Sequence, residues 1–249
     1  GSLPIVRSMG EIAGTTAILN AAEYLNNLKG QGIMLGGITG VPPTQVVILG
    51  AGTVGEYAAN AALGLGADVR VFDNSITRLR RLQHSVAHRI STSTLQPKVL
   101  HKALMRADVV IGAIRSNTGR TPCVVTEEMV RNMKAGSVIV DVSIDQGGCF
   151  ETSKVTTHND PTYEVHDIIH YCVPNMTSLV SRTASNALSN VVGPLVLQMG
   201  DEGGIENMIR NHQGIQNGVY LYNGTLTNRY SGESLKLPFK DLKLLLAAF

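Results

Sequence analysis

The chain has 249 residues, 43% apolar and 16% charged, enough to build one or two real cores and inconsistent with a disordered polymer. Aromatics make up only 4%, with no Trp, against 26 glycines, a balance that suits a layered α/β protein better than an aromatic-rich β-sandwich. The formal net charge of +2 sets up no strong field and argues against nucleic acid or an anionic membrane as a partner.

Cys123, Cys149 and Cys172 show no CxxC spacing, so they predict neither a disulfide framework nor a zinc site, and a reduced, cytoplasmic setting is expected. The longest apolar runs fall far short of the ~20 residues that span a bilayer. Gly1-Ser2 reads as the scar of a cleaved tag, and Leu3-Pro4-Ile5-Val6 as the interior of a longer protein, so a fragment is expected.

In chain order, apolar spacing predicts a helix over residues 9–28, ended by a Gly-rich segment at 30–40. Pro42-Pro43 marks an extended entry to a buried strand at 45–49. An Ala-rich helix over 56–65 and a strand at 67–73 follow, then a basic amphipathic helix at 77–89 and a short helix at 100–106. A third buried strand is expected at 107–113, a helix at 126–133 and a fourth strand at 138–142. Strands alternating with helices imply parallel pairing and right-handed crossovers, hence helices on both sheet faces. Residues 168–173 suggest another strand, 181–199 a long, mostly apolar helix and 205–210 a short one. Asn223-Gly224 signals a small hairpin within 217–228, and 241–249 a last helix. The domain boundary is expected near 175–181.

The strongest chemical signal is Gly50-Ala51-Gly52-Thr53-Val54-Gly55, directly after a strand and before a helix. Gly50 permits the tight turn, Gly52 lets a diphosphate approach the backbone, and Gly55 allows close helix–strand packing. The helix start offers free N–H groups and about half a positive charge to phosphates. Asp73 ends the second strand, eighteen residues after Gly55, where a carboxylate accepts hydrogen bonds from an adenine-ribose diol and repels a 2′-phosphate. Arg78, Arg80 and Arg81 stand on the opposite side of that argument, since a nearby Arg can receive the phosphate. Arg78 is counted among the cofactor contacts, and NAD is favoured. The fourth strand runs into Asp145-Gln146-Gly147-Gly148 at the carboxyl edge of the sheet. Asp145 either polarises a reacting amine or carbonyl or simply caps a turn before Gly, and both readings stand. Cys149 reads as a small buried residue. His84 and His88, four apart, read as a solvated helix face rather than a metal pair. No GxSxG elbow or GxxxxGK[ST] loop occurs, against hydrolase and nucleoside-triphosphatase readings.

Together these residues resemble the alanine dehydrogenase family, which includes nicotinamide nucleotide transhydrogenase. The resemblance is carried by Gly10-Glu11-Ile12-Ala13-Gly14, Gly36-Gly37-Ile38-Thr39-Gly40-Val41-Pro42-Pro43, the Gly50–Gly55 turn with Asp73, and residues 106–113. Asp145-Gln146-Gly147-Gly148-Cys149-Phe150-Glu151-Thr152, Thr156-Thr157-His158, Pro161-Thr162-Tyr163 and residues 170–176 extend it to about residue 196. The 145–152 segment matches the dehydrogenase side of the family.

The resemblance implies a Rossmann-type doubly wound parallel sheet, residues 1–178, followed at 179–249 by a helical segment of a second, incomplete substrate domain. It implies NAD as hydride acceptor in the oxidative deamination of L-alanine to pyruvate and ammonia, and a homo-oligomeric enzyme. Nicotinamide-side contacts then fall on Ile114, Val142, Ser143, Ile144, Asp145, Val173, Asn175 and Met176, with Asp145 as the active-site aspartate. The family's substrate-binding Arg and Lys and its catalytic His lie in an N-terminal portion that has no counterpart here. This chain alone is therefore expected to bind NAD yet turn over alanine poorly. The helix at 181–199 is expected to leave apolar surface exposed or paired between copies. Gly10 stands where the family usually has a phosphate-binding Ser, Leu95-Gln96 replace Ser residues by the adenosine, and Arg115-Ser116-Asn117-Thr118-Gly119-Arg120 replaces a more apolar loop. The alternatives are a transhydrogenase-like NAD(H)-binding subunit and a non-catalytic NAD-binding module.

Overall fold

A computed structural model describes residues 4–86, 89–116 and 119–247. His88, Asn117, Thr118 and the two ends, with the expected tag scar and the last two residues of the expected final helix, lie outside the described residues. Two compact units are distinguished, Gly1–Leu188 and Ser189–Phe249.

The first unit is built on β1 (Gln45–Leu49), β2 (Asp68–Phe72), β3 (Ser91–Ser93), β4 (Val109–Gly112), β5 (Val138–Asp141), β6 (Thr162–Val165) and β7 (Ile168–Tyr171), in the sheet order β3-β2-β1-β4-β5-β7-β6. All neighbours run parallel except β6, which pairs antiparallel with β7 as an edge strand. The sheet order reverses direction at β1, so the crevice beyond the carboxyl ends of β1 and β4 is the switch point where open α/β sheets bind ligands.

Side-chain alternation along the strands fills two separate cores. Val46 and Ile48 of β1, with Val109, Ile111, Val138 and Val140, face α1 (Pro4–Asn26), α2 (Thr53–Gly64) and α3 (Ile76–Ser85). Val47 and Leu49, with Phe72, Val110 and Ile139, face α4 (Pro97–Leu104) and α5 (Glu127–Arg131). Helices on both faces are the arrangement expected from the strand–helix alternation. The long α1 lies close against α2 because Gly14 has no side chain; a Cβ there would run into the Val54 carbonyl and come within 2.9 Å of the Ala58 nitrogen.

The element ends differ from expectation in physically readable ways. The basic helix α3 starts behind Ser75, whose hydroxyl accepts from the Arg78 N–H, and stops at Ser85 instead of running on to residue 89, because Val86 is extended. α5 starts behind Thr126, whose hydroxyl accepts from the Met129 N–H. Strands β3 and β6, unanticipated from sequence, are a polar edge trio and a half-buried edge strand, both lacking the apolar run that marks the central strands.

The second unit takes up the end of α6 (Ser181–Asp201), with Pro194 inside it, then α7 (Ile205–Asn211) and α8 (Gln213–Gln216). The hairpin β8 (Leu221–Tyr222) and β9 (Thr225–Leu226), α9 (Arg229–Leu235) and α10 (Leu242–Ala247) complete it. Asn223 and Gly224 both have positive φ, 47° and 74°, the two-residue turn that Asn-Gly predicts. A small core of Ile209, Tyr222 and Leu242 holds this unit. Among the described residues, no helix is long and apolar enough to cross a membrane.

Candidate dinucleotide site

The turn between β1 and α2 meets the three demands of its glycines. Gly50 has φ +111°, and a Cβ there would strike the Ala113 carbonyl; a Cβ on Gly55 would drive into the carbonyl oxygen of Gly50. At Gly52 a Cβ would meet nothing within 4 Å, so open space lies beside the backbone at the position where a diphosphate would approach. Gly52 is also the N-cap of α2 and supplies no side-chain acceptor; the first turn closes with the Glu56 N–H donating to the Gly52 carbonyl at 2.9 Å. The N–H groups ahead of it point out of the helix end, as at every uncapped N-terminus.

Asp73, 7% exposed, sits at the end of β2 beside this turn. Its Oδ2 accepts from the Ala51 N–H at 2.8 Å and its Oδ1 from the Ser75 N–H at 2.7 Å. One carboxylate thus fixes the turn and the start of α3 together. The Arg78 guanidinium lies 3.7 Å from Asp73 Oδ2, and Arg81 donates to the Ala51 carbonyl at 3.3 Å, so two of the three arginines weighed against NAD reach toward this end of the site.

A cavity of about 330 Å³ opens at the carboxyl edge of the sheet, within the size range of small-molecule sites. It gathers Val54, Ile114, Val142, Ser143, Asp145, Val173, Asn175 and Met176, eight of the residues expected from sequence. Ile144 is buried and stands apart from this wall, while Asp73 and Arg78 mark the β2 end of the crevice. Sequence reasoning missed Val6, Met9 and Ala13 of α1 on the wall, together with Gln146, while Arg115, noted as part of the loop that departs from the family, lines it as well. Gly10, noted only as a departure from a family Ser, also lines it; a Cβ there would meet Thr53 and Val54 at ordinary contact distances of 3.4–3.5 Å.

Behind the cavity, β5 ends in a 3-10 turn, Val142–Gln146, that exposes Asp145. Desolvation raises the Asp145 carboxyl above its ordinary value, and the Asn175 N–H, donating to it, pulls the other way. Asn175 has φ +51°, a left-handed conformation that Asn tolerates better than most residues. Gln146 ties two loops together: its Oε1 accepts from the Ser116 N–H at 3.1 Å and its Nε2 donates to the Ser116 carbonyl at 3.3 Å. Ser143 donates to the Ile114 carbonyl at 2.8 Å, closing the same seam.

A family profile described as alanine dehydrogenase/PNT, C-terminal domain, matches residues 17–229. The chain belongs to that family. It is 41% identical over 248 residues to alanine dehydrogenase of Mycolicibacterium smegmatis, covering 99% of this chain and 67% of that protein. It is likewise 41% identical to alanine dehydrogenase of Halomonas elongata, covering 97% of this chain and 65% of the relative. Among solved structures, an L-alanine dehydrogenase superimposes with TM-score 0.89 and 37% identity over 94% of this chain and 65% of its own. A transhydrogenase from Sinorhizobium meliloti, 21% identical with TM-score 0.70 over 90% of this chain and 61% of its own, shares the fold. The chain spans about two thirds of the length of these dehydrogenase relatives.

His170, Cys149 and Cys172 of this family member are structural by their contacts and burial. His170 is fully buried: Nδ1 faces the Ile168 carbonyl at 3.0 Å, Nε2 the Thr152 hydroxyl at 2.8 Å, and the ring stacks on Tyr163. Burial lowers its pKa below the ordinary imidazole value, disfavouring the charged form. Cys149 and Cys172 are buried free thiols; desolvation raises both, Cys172 to about 11, which leaves them poor nucleophiles.

Proposed function

We propose that this chain is the dinucleotide-binding portion of an NAD-dependent L-alanine dehydrogenase, with residues 1–178 forming the nucleotide-binding part and 179–249 belonging to the substrate domain. One observation carries the reading: the glycine turn, the open end of α2 and the carboxylate of Asp145 lie along one edge of the sheet, at the switch point of the fold. The residues fit the group. Gly50, Ala51, Gly52, Thr53, Val54 and Gly55 would hold the diphosphate, with room at Gly52 and the N–H groups of the first turn of α2 to receive it, those of Gly50 and Ala51 being already donated to the Phe72 carbonyl and Asp73. Asp73 would hold the adenine ribose with Arg78 beside it, and the apolar wall of Val54, Ile114, Val142, Val173 and Met176 would receive the nicotinamide.

When bound, NAD supplies the hydride acceptor for the carbon bearing the amine of L-alanine. Asp145 faces the cavity with its carboxyl raised by desolvation, the direction that suits a group exchanging protons with the substrate amine or an attacking water. Ser143 and Asn175 hold the loops on either side of it. The three free cysteines fit a reducing, cytoplasmic setting, and exposed apolar side chains on α6 such as Val196 and Leu197 fit a homo-oligomer.

The deciding assay uses the full-length protein with L-alanine and NAD, followed by NADH absorbance. Alanine-dependent NADH formation supports the proposal. Hydride exchange between NAD(H) and NADP(H) without alanine points to a transhydrogenase-like subunit, and binding without either reaction to a nucleotide-binding module.

A further inference from the structure

The Asp141 carboxylate, at the end of β5, is 1% exposed and accepts hydrogen bonds from the segment that follows it and folds back over it. Oδ1 accepts from the Ser143 N–H at 3.0 Å; Oδ2 accepts from the Cys149 N–H at 2.9 Å and the Ser153 hydroxyl at 2.6 Å. The Cys149 thiol points at Oδ1 from 3.8 Å. Two donors from opposite ends of the 143–149 loop therefore converge on one side chain. The loop is shaped to it: Gly148 has φ +75°, and a Cβ there would lie 2.6 Å from Asp141 Oδ2. The segment enclosed by this clasp presents Ser143, Asp145 and Gln146 to the cavity.

We infer that Asp141 is a positioning residue for the nicotinamide side of the site, acting through the loop that carries Asp145 without touching a ligand itself. This rests on the dinucleotide reading above. A buried carboxylate without a cation is costly, and hydrogen bonds to it repay that cost only while the loop keeps its shape. The carboxylate therefore selects one loop conformation, and so one placement of Asp145.

The test compares two ligands on this chain by calorimetry: NADH, which would reach the cavity, and ADP-ribose, which would use only the glycine turn and Asp73. In Asp141→Asn the amide cannot accept on both sides. NADH affinity is expected to fall about tenfold, the size of one lost hydrogen bond to a charged group, while ADP-ribose affinity stays within about twofold. If thermal unfolding shows that Asp141→Asn has lost its fold, Gly148→Ala takes its place, since it displaces the loop from the carboxylate and leaves β5 intact; the same split is expected. Equal losses for both ligands, or no change in either, overturn the proposal. A wild-type chain that binds neither ligand overturns the dinucleotide reading, and the proposal with it.

Discussion

Gly112 and Asp141 are register partners at the ends of β4 and β5, and a Cβ on residue 112 would lie 2.7 Å from Asp141 Oδ1 and 2.7 Å from the Cys149 sulfur. The last residue of β4 is thus glycine because the clasp under the 143–149 loop fills the space a side chain would take. Gly112→Ala is an overpacking substitution and should cost about 1–3 kcal/mol. Urea unfolding should show a lower midpoint with an unchanged slope; an unchanged midpoint would mean that the loop moves aside freely.

The glycine turn yields a paired expectation. Gly55→Ala puts a Cβ into the Gly50 carbonyl and should destabilise the fold. Gly52→Ala enters open space at φ −80°, so its stability cost should stay near that of an altered N-cap, about 1 kcal/mol or less. Its penalty should instead appear in dinucleotide affinity, because the methyl occupies the diphosphate's approach. Thermal melts set beside NADH titrations separate the two, and a Gly52→Ala chain that binds NADH as well as wild type would contradict the placement of the diphosphate.

Asp73→Ala removes the carboxylate that opposes a 2′-phosphate and leaves Arg78, now 3.7 Å from an empty position, to receive one. The ratio of NADPH to NADH affinity should rise, by up to about two to three orders of magnitude if a like-charge contact at an effective dielectric near 20 is relieved. Overall stability should drop as well, since the Ala51 and Ser75 N–H groups lose their acceptor. A constant ratio would remove Asp73 from the ribose site.

His170 predicts a pH dependence with a definite sign. Its pKa is depressed below 6.5 by burial, so it adds stability above about pH 6.5 and withdraws it as pH falls through the lower folded value. Asp141, raised above 3.8, acts with the opposite sign, adding stability as pH falls toward 3.8; Glu127 and Glu202, lowered below 4.5, lose theirs only further down. His170→Asn keeps a donor for the Ile168 carbonyl and removes the titration. The melting-temperature gap between wild type and this variant should therefore shrink from pH 8 to pH 5, and a constant gap would show that His170 does not titrate.

The central strands and the glycine turn were legible in the sequence because they depend on local pattern: an apolar run such as Gln45–Leu49, then glycines at positions whose geometry excludes a Cβ. The wall that α1 contributes was not, since Val6, Met9 and Ala13 reach the cavity only through close packing of α1 on α2 at Gly14. Asp141 falls inside the strand expected at 138–142. Its partners Ser143, Cys149 and Ser153 are brought to it by a loop that folds back, and the one sequence trace of that return is the Gly147-Gly148 pair, both at positive φ. For Asp145 the sequence left a reacting carboxylate and a turn cap open, and its place on the cavity wall follows only from the fold.

Isothermal titration of NADH into this chain tests, without any other component, whether the crevice accepts a dinucleotide. Saturable binding at one site per chain, weakened by Gly52→Ala, is the expected result. Absence of heat at millimolar NADH would contradict it.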